Sequence, residues 1–156
     1  MDQRMQIVIL EDCMERRRLM TDMLQDKFAQ YEFHFFYTSG EAIVHLRDNL
    51  DRLLAVILDH DLELIEVDKQ RLIDPGTGRD VADYLASQPA VCPVVVHSTN
   101  SPAAIGMLSV LEDSGWTTER VIPVGEFNWI KTIWIKAVRN AIVAFVGQEQ
   151  PTTLTS

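Results

Sequence analysis

Short apolar runs alternate along the chain with stretches of helical periodicity. The runs are rich in β-branched and aromatic residues, which are typical of strands. Most of them carry no polar position that would mark a solvent-facing side, which is typical of a parallel sheet covered by helices on both faces. The five predicted strands are residues 6–11, 32–38, 53–59, 93–98 and 119–124.

Each predicted strand is followed by a segment whose apolar residues recur at the spacing of an amphipathic helix. Ser39 and Ser101 are predicted N-caps, and Pro102 suits a first helical turn. The arginines at 16–18 are expected on a solvated face of the first helix. The five predicted helices cover residues 14–28, 39–46, 78–86, 101–113 and 128–146.

Five strand–helix pairs predict an α/β fold of the flavodoxin-like kind. This fold is a three-layer sandwich around a five-stranded parallel sheet in the order 2-1-3-4-5. A chain of 156 residues suits one domain with a full core. We expect that domain to cover residues 1–148, followed by a disordered polar tail over residues 149–156.

Composition narrows the function classes. The chain has 23 acidic and 14 basic residues and a net charge of −9. It has no basic run, so nucleic acid is not an expected partner. No apolar stretch reaches the roughly 18 residues of a membrane span, and the N-terminus lacks the pattern of a signal peptide. The two cysteines lack metal-ligand spacing and are expected to be reduced, so we expect a cytoplasmic protein.

Acidic residues stand at the ends of two strands that the predicted order makes neighbours. Glu11 and Asp12 end strand one, and Asp59 and Asp61 end strand three. Ligands of such sheets bind at this edge, where the strand order reverses. Carboxylates a few ångströms apart repel by about 4 kcal/mol per pair at an effective dielectric of 20, and a divalent cation removes that cost. The residues therefore predict a site for Mg²⁺ (or Mn²⁺). The alternative is a set of solvated strand ends, with Asp12 capping the first helix.

These acids, together with Ser98 at the end of strand four, resemble the receiver domain of response regulators over roughly residues 5–147. The resemblance implies that Glu11, Asp12 and Asp59 bind Mg²⁺, helped by the backbone carbonyl of Asp61. It further implies that Asp59 accepts a phosphoryl group, which the Ser98 hydroxyl contacts.

The same resemblance implies a role in two-component phosphorelay signalling. The expected partner is a protein such as a histidine kinase or a downstream effector, and homodimer formation stays open. No DNA-binding output segment is apparent, so we expect a stand-alone receiver. One position departs from the receiver pattern: Ile122 precedes Pro123 at the end of strand five, where receivers carry a lysine.

A narrower resemblance involves three short motifs. They are DHDL at 59–62, G-x-D-V at 78–81 and HSTN at 97–100. Together they resemble the divergent cyclic-phosphate processing receiver group. The resemblance implies catalytic roles for His60 and His97 beside Asp59 and Ser98. An imidazole near carboxylates is expected to be protonated near neutral pH, and it can then act as a general acid or a phosphate anchor.

Further candidates for phosphate binding lie at the starts of two helices. Thr99 and Asn100, next to Ser98, open the fourth helix and offer donors to an anion. Arg79, at the start of the third helix, is the candidate replacement for the missing lysine. The connection at 63–75 is long for a strand-to-helix loop, and we expect a lid over the acidic site.

Three functions remain open from the sequence. The first is a receiver that binds Mg²⁺ and is phosphorylated on Asp59. The second is a metal-dependent phosphoesterase that processes cyclic phosphates with His60 and His97. The third is a pseudo-receiver that acts only through protein contacts. The receiver architecture favours the first, while Ile122 counts against it.

Overall fold

A computed structural model describes residues 4–149 of the protein. A five-stranded parallel sheet lies at its centre, and a separate two-stranded hairpin is inserted after the third strand. The strands are, in chain order, β1 (Gln6–Leu10), β2 (Glu32–Phe36), β3 (Leu53–Asp59), β4 (Ile65–Asp68), β5 (Arg71–Ile73), β6 (Val94–His97) and β7 (Thr118–Val121).

Helices cover both faces of the central sheet. They are α1 (Met14–Phe28), α2 (Ser39–Asn49), α3 (Gly78–Ala86), α4 (Ser101–Asp113) and α5 (Ile135–Glu149). A short 3₁₀ turn, Leu50–Arg52, precedes β3, and a π-helical turn, Ile130–Trp134, leads into α5. Within residues 4–149, no helix combines the length and the apolar character needed to cross a bilayer.

The central sheet has the order β2-β1-β3-β6-β7, all parallel. This is the predicted order 2-1-3-4-5 once the hairpin strands are left out, so the flavodoxin-like three-layer prediction is confirmed. Its register aligns the strand ends that carry the candidate site. Leu10 pairs with Leu58, and Asp59 pairs with His97. Glu11, Asp59 and His97 therefore emerge side by side.

Two apolar clusters fill the space on the two sides of the sheet. Ile9, Ile57 and Val95 belong to the cluster under α1 and α5. Leu58 belongs to the opposite cluster, under α2, α3 and α4. Successive side chains of a strand point to opposite faces. A residue at a strand end therefore faces the same cluster as the strand residue two positions before it. Asp59 must face α1 and α5, and His60 must face the other way.

Two helix caps differ from the prediction by one residue. The N-cap of α2 is Thr38, whose hydroxyl accepts a hydrogen bond from the Glu41 amide at 3.1 Å. The N-cap of α4 is Asn100, whose side-chain oxygen accepts from the Ala103 amide at 3.2 Å. In both places two capping residues stand side by side in the sequence, and the backbone conformation selects the first of them.

The long connection after β3 is a β-hairpin rather than an irregular loop. Ile65 pairs with Ile73, and Glu66 pairs with Leu72, in antiparallel register. Its side chains are mostly exposed. Its foot meets the rest of the domain where the Glu63 amide donates to Asp12 Oδ2 at 2.6 Å. The lid at 63–75 stays a prediction. The tail predicted for 149–156 lies almost wholly outside the described residues.

Candidate functional site

Three buried polar side chains meet at the carboxyl ends of β1, β3 and β6. Glu11 is 0% exposed, Asp59 6% and His97 0%. One potential ligand atom from each lies within 4.8 Å of the other two. Each residue stands two positions beyond an apolar residue on the same face of its strand, namely Ile9, Ile57 and Val95. The alternation of strand side chains therefore brings them together.

Burial disfavours the ionised forms of the two carboxyls in this cluster, Asp59 and Glu11. Burial raises the pKa of Asp59 to about 8, and the neighbouring Glu11 charge acts in the same direction against the opposing effect of His97. Burial also raises the pKa of Glu11, although contacts with Asp59 and Arg16 oppose that rise. Two buried carboxyls this close do not both ionise near neutral pH unless positive charge is added. The pair fits a divalent cation.

His97 is enclosed more completely than its position at a strand end suggests. Its ring centroid lies 5.5 Å from that of Trp129 and 6.5 Å from that of Trp134. Burial lowers the pKa of His97 to about 4. The expectation of a protonated imidazole is therefore corrected, because the loss of hydration outweighs the attraction of the nearby carboxylates. His97 Nε2 lies 3.2 Å from Glu11 Oε2.

Arg16 is the site residue that sequence reasoning missed. Its Nη1 lies 3.4 Å from Glu11 Oε1 and 3.8 Å from Asp59 Oδ2. Its guanidinium lies 5.3 Å from the centre of the Trp129 ring. The prediction of a solvated arginine face is thus wrong for Arg16, whose side chain is only 27% exposed.

The spacing of residues along α1 could have predicted that Arg16 faces the site. Arg16 precedes the buried residues Met20 and Leu24 by four and eight positions, so the three share one face of α1. The neighbouring Arg17 uses its guanidinium differently, lying 3.9 Å from the centre of the Tyr37 ring.

Two clefts give access to Asp59. The larger has a volume of about 730 Å³, and the smaller, beside β6, about 180 Å³. Arg16, Asp59 and Asp61 line both. Asp12 and Glu63 contribute to the larger cleft, while His97, Ser98, Thr99 and Pro123 contribute to the smaller. The structure therefore brings Asp12 and Asp61 to the edge of the cluster, with the Asp61 side chain 64% exposed.

The helix-start residues predicted for phosphate binding have different positions. Ser98 is 3% exposed, and its hydroxyl oxygen accepts a hydrogen bond from the Asn100 amide at 3.0 Å, so its own proton stays available to donate. Thr99 is exposed and lines the smaller cleft. The Asn100 side chain caps α4 and lines neither cleft at Asp59.

Two predicted site residues are not brought into the cluster. The His60 ring lies 2.8 Å from Asp61 Oδ1, and it lines neither cleft at Asp59. Because His60 follows Asp59 by one position, its ring points to the opposite face of the sheet from His97. Arg79 forms a 2.7 Å ion pair with Asp83 one helical turn later and also lines neither cleft. Among the residues lining these clefts, the cation is Arg16 and not Arg79.

Gly78 packs the start of α3 directly against the end of β3. Its amide donates to the His60 carbonyl at 3.1 Å. A Cβ at this position would lie 2.1 Å from the Asp59 carbonyl oxygen. The close approach of two backbones explains the glycine of the G-x-D-V motif and fixes the end of β3 beneath the site.

The strand-five position that carries lysine in receivers is occupied differently. Ile122 is 51% exposed, and Pro123 lines the smaller cleft. No lysine lines either cleft at Asp59 within residues 4–149. Positive charge reaches Asp59 from α1 instead of from the end of β7.

Solved structures share the fold. A response regulator receiver domain from Rhodospirillum rubrum is 19% identical, with 91% of this chain and 94% of that chain covered and a TM-score of 0.59. The phosphorylated cyanobacterial phytochrome response regulator RcpA is 20% identical, with 92% and 96% covered and a TM-score of 0.67. The Mn²⁺-bound response regulator Rcp1 is 16% identical, with 85% and 95% covered and a TM-score of 0.58.

Sequence comparison is more specific than these structural likenesses, which at such identities show the fold alone. No curated protein sequence matches the chain. Residues 6–113, more than half of the chain, match the family described as "Cyclic-phosphate processing Receiver domain". This span contains Glu11, Arg16, Asp59 and His97. The chain therefore belongs to the cyclic-phosphate processing receiver domain family.

Proposed function

We propose that the Asp59 pocket binds a divalent cation, Mg²⁺ or Mn²⁺, and that Asp59 accepts a phosphoryl group there in a signalling reaction. One observation carries the proposal. Glu11 and Asp59 are buried side by side, with the pKa of Asp59 raised to about 8. A bound cation would restore the ionised carboxylate that a nucleophile requires.

The donor set fits such a cation. Two buried carboxyls form its centre, and the partly or fully exposed carboxylates of Asp12 and Asp61 stand at its edge. Mg²⁺ typically takes one or two carboxylates and keeps waters and phosphate oxygens as its other ligands. When bound, it would neutralise charge on the oxygens of the transferred phosphoryl group. Among the solved structures that share the fold, Rcp1 binds Mn²⁺ and RcpA is phosphorylated, and the proposal assigns both kinds of chemistry to the Asp59 pocket.

Arg16 is proposed to take the part of the missing strand-five lysine. A guanidinium offers paired donors that suit phosphate oxygens, and those hydrogen bonds are charge-assisted. Arg16 lies against Trp129 and within 3.8 Å of Asp59 Oδ2, so it needs little movement to reach a group on that oxygen.

In the proposed reaction an Asp59 oxygen attacks phosphorus in line with the leaving group. The new bond joins Asp59 to phosphorus, and the bond that breaks joins phosphorus to the donor, which departs with the electron pair. Ser98 donates its hydroxyl proton as a hydrogen bond to a phosphoryl oxygen. The proposed partners are a histidine kinase as donor and a downstream effector as reader of the phosphorylated surface.

Intact-protein mass measurement after incubation with acetyl phosphate and Mg²⁺ tests the proposal. We expect one phosphoryl group on the wild type and none on Asp59→Asn. Asp61→Asn is the matched control, because it removes a neighbouring carboxylate that is largely exposed, and it should still be labelled. An unlabelled wild type that binds Mg²⁺ and is folded would contradict phosphoacceptor chemistry.

A second candidate, hydrolysis of a cyclic phosphate, rests on His97. His97 Nε2 lies 3.2 Å from Glu11 Oε2, beside the proposed cation site. Transfer of a phosphoryl group to Asp59 does not require an imidazole at this position. His97 lines the smaller cleft, of about 180 Å³, while Asp59 and Arg16 line both that cleft and the larger one, whose volume of about 730 Å³ falls within the range of small-molecule sites. A panel of cyclic nucleotides incubated with Mn²⁺ tests this function. Hydrolysis that His97→Gln abolishes and His60→Gln retains would support it over phosphoacceptance.

A further inference from the structure

One buried polar atom of the cluster has no role in the proposed phosphoryl acceptance. His97 is 0% exposed, and its Nδ1 has no hydrogen-bond partner among the described residues. Leaving a buried nitrogen unpaired costs about 1–3 kcal/mol. Its other ring nitrogen faces the Glu11 carboxylate rather than solvent. In a neutral imidazole one ring nitrogen carries the proton and the other offers a lone pair, so the buried ring can supply one ligand to a metal ion.

The distances within the cluster suit a shared ion. Ligand atoms bound at about 2.0–2.2 Å to one metal ion lie at most about 4.4 Å apart. The corresponding atoms of Glu11, Asp59 and His97 lie within 4.8 Å of one another, so shifts of a few tenths of an ångström would suffice. His97 and Asp59 both line the smaller cleft, which gives an ion a route to the imidazole.

We propose that His97 is a direct ligand of the divalent ion, and that it makes the site select a first-row transition ion such as Mn²⁺, Fe²⁺ or Zn²⁺ over Mg²⁺. The inference rests on the cation site of the proposed function. Imidazole favours transition ions, whereas Mg²⁺ prefers oxygen ligands alone. The pocket is therefore a mixed carboxylate and imidazole site rather than an all-oxygen one.

Electron spin echo envelope modulation of bound Mn²⁺ tests the ligand directly. We expect modulation from a coordinated nitrogen in wild-type protein, and its replacement by the ¹⁵N pattern when histidine is isotopically labelled. His97→Gln should lose the coupling, while His60→Gln, which alters the histidine turned away from the cluster, should keep it. The wild-type isotope comparison remains decisive even where a variant folds poorly.

Competition titration supplies a second readout. The ratio of Mg²⁺ to Mn²⁺ dissociation constants should fall about tenfold or more in His97→Gln, the scale of metal-site ligand effects. Bound Mn²⁺ without nitrogen coupling, or coupling lost in His60→Gln alone, would overturn this inference and leave the cation site standing. A folded wild type that binds no divalent ion would overturn the proposed function and this inference with it.

Discussion

The Asp59 pocket has a buried floor and a more exposed rim, built from similar ionisable side chains. The floor consists of Glu11, Asp59 and His97, and the rim of Asp12, Asp61 and Glu63. On the floor, burial alters the pKa of every member. Asp12 directly follows Glu11, and Asp61 lies two positions beyond Asp59, past the end of β3. The difference teaches that the position of an acid at the end of its strand, where the sheet and helices enclose the side chain, decides more than residue type whether it is buried at the site.

The largest effect is expected where the backbone supports the floor. Gly78→Ala should destabilise the protein by about 3 kcal/mol, because its Cβ would overlap the Asp59 carbonyl and backbone yields poorly. Gly40→Ala is the matched control, since nothing lies within 4 Å of the added methyl. Its stability should change by no more than about 1 kcal/mol. Urea unfolding at pH 7 measures both, and equal midpoints would refute the close approach of α3 to β3.

The next effect concerns pH. Asp59 has a folded pKa of about 8 and an unfolded value of 3.8, so between these values the folded state holds a proton that the unfolded state lacks. Stability therefore falls as pH rises through this window. His97 acts oppositely between about 4 and its unfolded value of 6.5, where the unfolded state binds the extra proton. Above pH 6.5 the His97 effect has ended, and the raised pKa of Glu11 acts in the same direction as that of Asp59, so the fall in stability across pH 6.5–8 belongs to the two buried carboxyls.

Across pH 6.5–8, with a chelator present, the unfolding free energy of the wild type should fall by about 2 kcal/mol, at about 1.4 kcal/mol per pH unit. Asp59→Asn should remove most of this slope. Asp61→Asn, a rim substitution at a largely exposed side chain, should retain it. A wild type whose stability is level across this window would show that the floor is no harsher an environment than the rim.

A third effect separates two arginines. Arg16→Ala should slow phosphorylation of Asp59 by acetyl phosphate about tenfold or more, since charge-assisted hydrogen bonds contribute about 1.5–3 kcal/mol. Arg79→Ala removes a guanidinium that is paired with Asp83, and the rate should stay near that of the wild type. Arg16→Lys should recover part of the loss. A slower rate in Arg79→Ala alone would return the cationic role to α3.

The sequence predicted the sheet because apolar strands covered on both faces leave a strong local signal. It placed Glu11 and Asp59 together because strand order and parallel direction determine which ends meet. It could not reveal that burial would keep His97 neutral, since desolvation depends on Trp129 and Trp134, which join the cluster from the distant helical region before α5.

Other features were missed for local reasons. Arg16, Arg17 and Arg18 were treated together as one solvated run, although Arg16 shares a face of α1 with the buried Met20. In the hairpin at 65–73, apolar and acidic residues alternate over Ile65–Asp68, but that run is only four residues long and β5 shows no such pattern, so only the length of the connection was informative. His60 was grouped with His97 by motif, although counting positions along β3 from Ile57 would have placed the two rings on opposite faces.

The smallest effect is expected at the rim. Asp12 makes two contributions that can be tested separately. Its Oδ2 accepts a hydrogen bond from the Glu63 amide at 2.6 Å, and its charge lies at the larger cleft. Asp12→Asn removes the charge but keeps an oxygen that can accept that hydrogen bond. Because Asp12 is only partly buried, Mn²⁺ affinity should fall only severalfold, equivalent to about 1 kcal/mol. Protection of the hairpin from proteolysis should stay as in the wild type.

Asp12→Ala removes both the charge and the acceptor, so the same loss of Mn²⁺ affinity should come with faster cleavage between β4 and β5. Titration calorimetry and limited proteolysis on both variants make the separation. Glu11→Gln provides the floor counterpart, and its loss of affinity should exceed that of Asp12→Asn, because a buried ligand has no water to replace it. Equal losses at Glu11 and Asp12 would mean that the ion sits at the rim, in contact with solvent, and that the buried floor does not bind it.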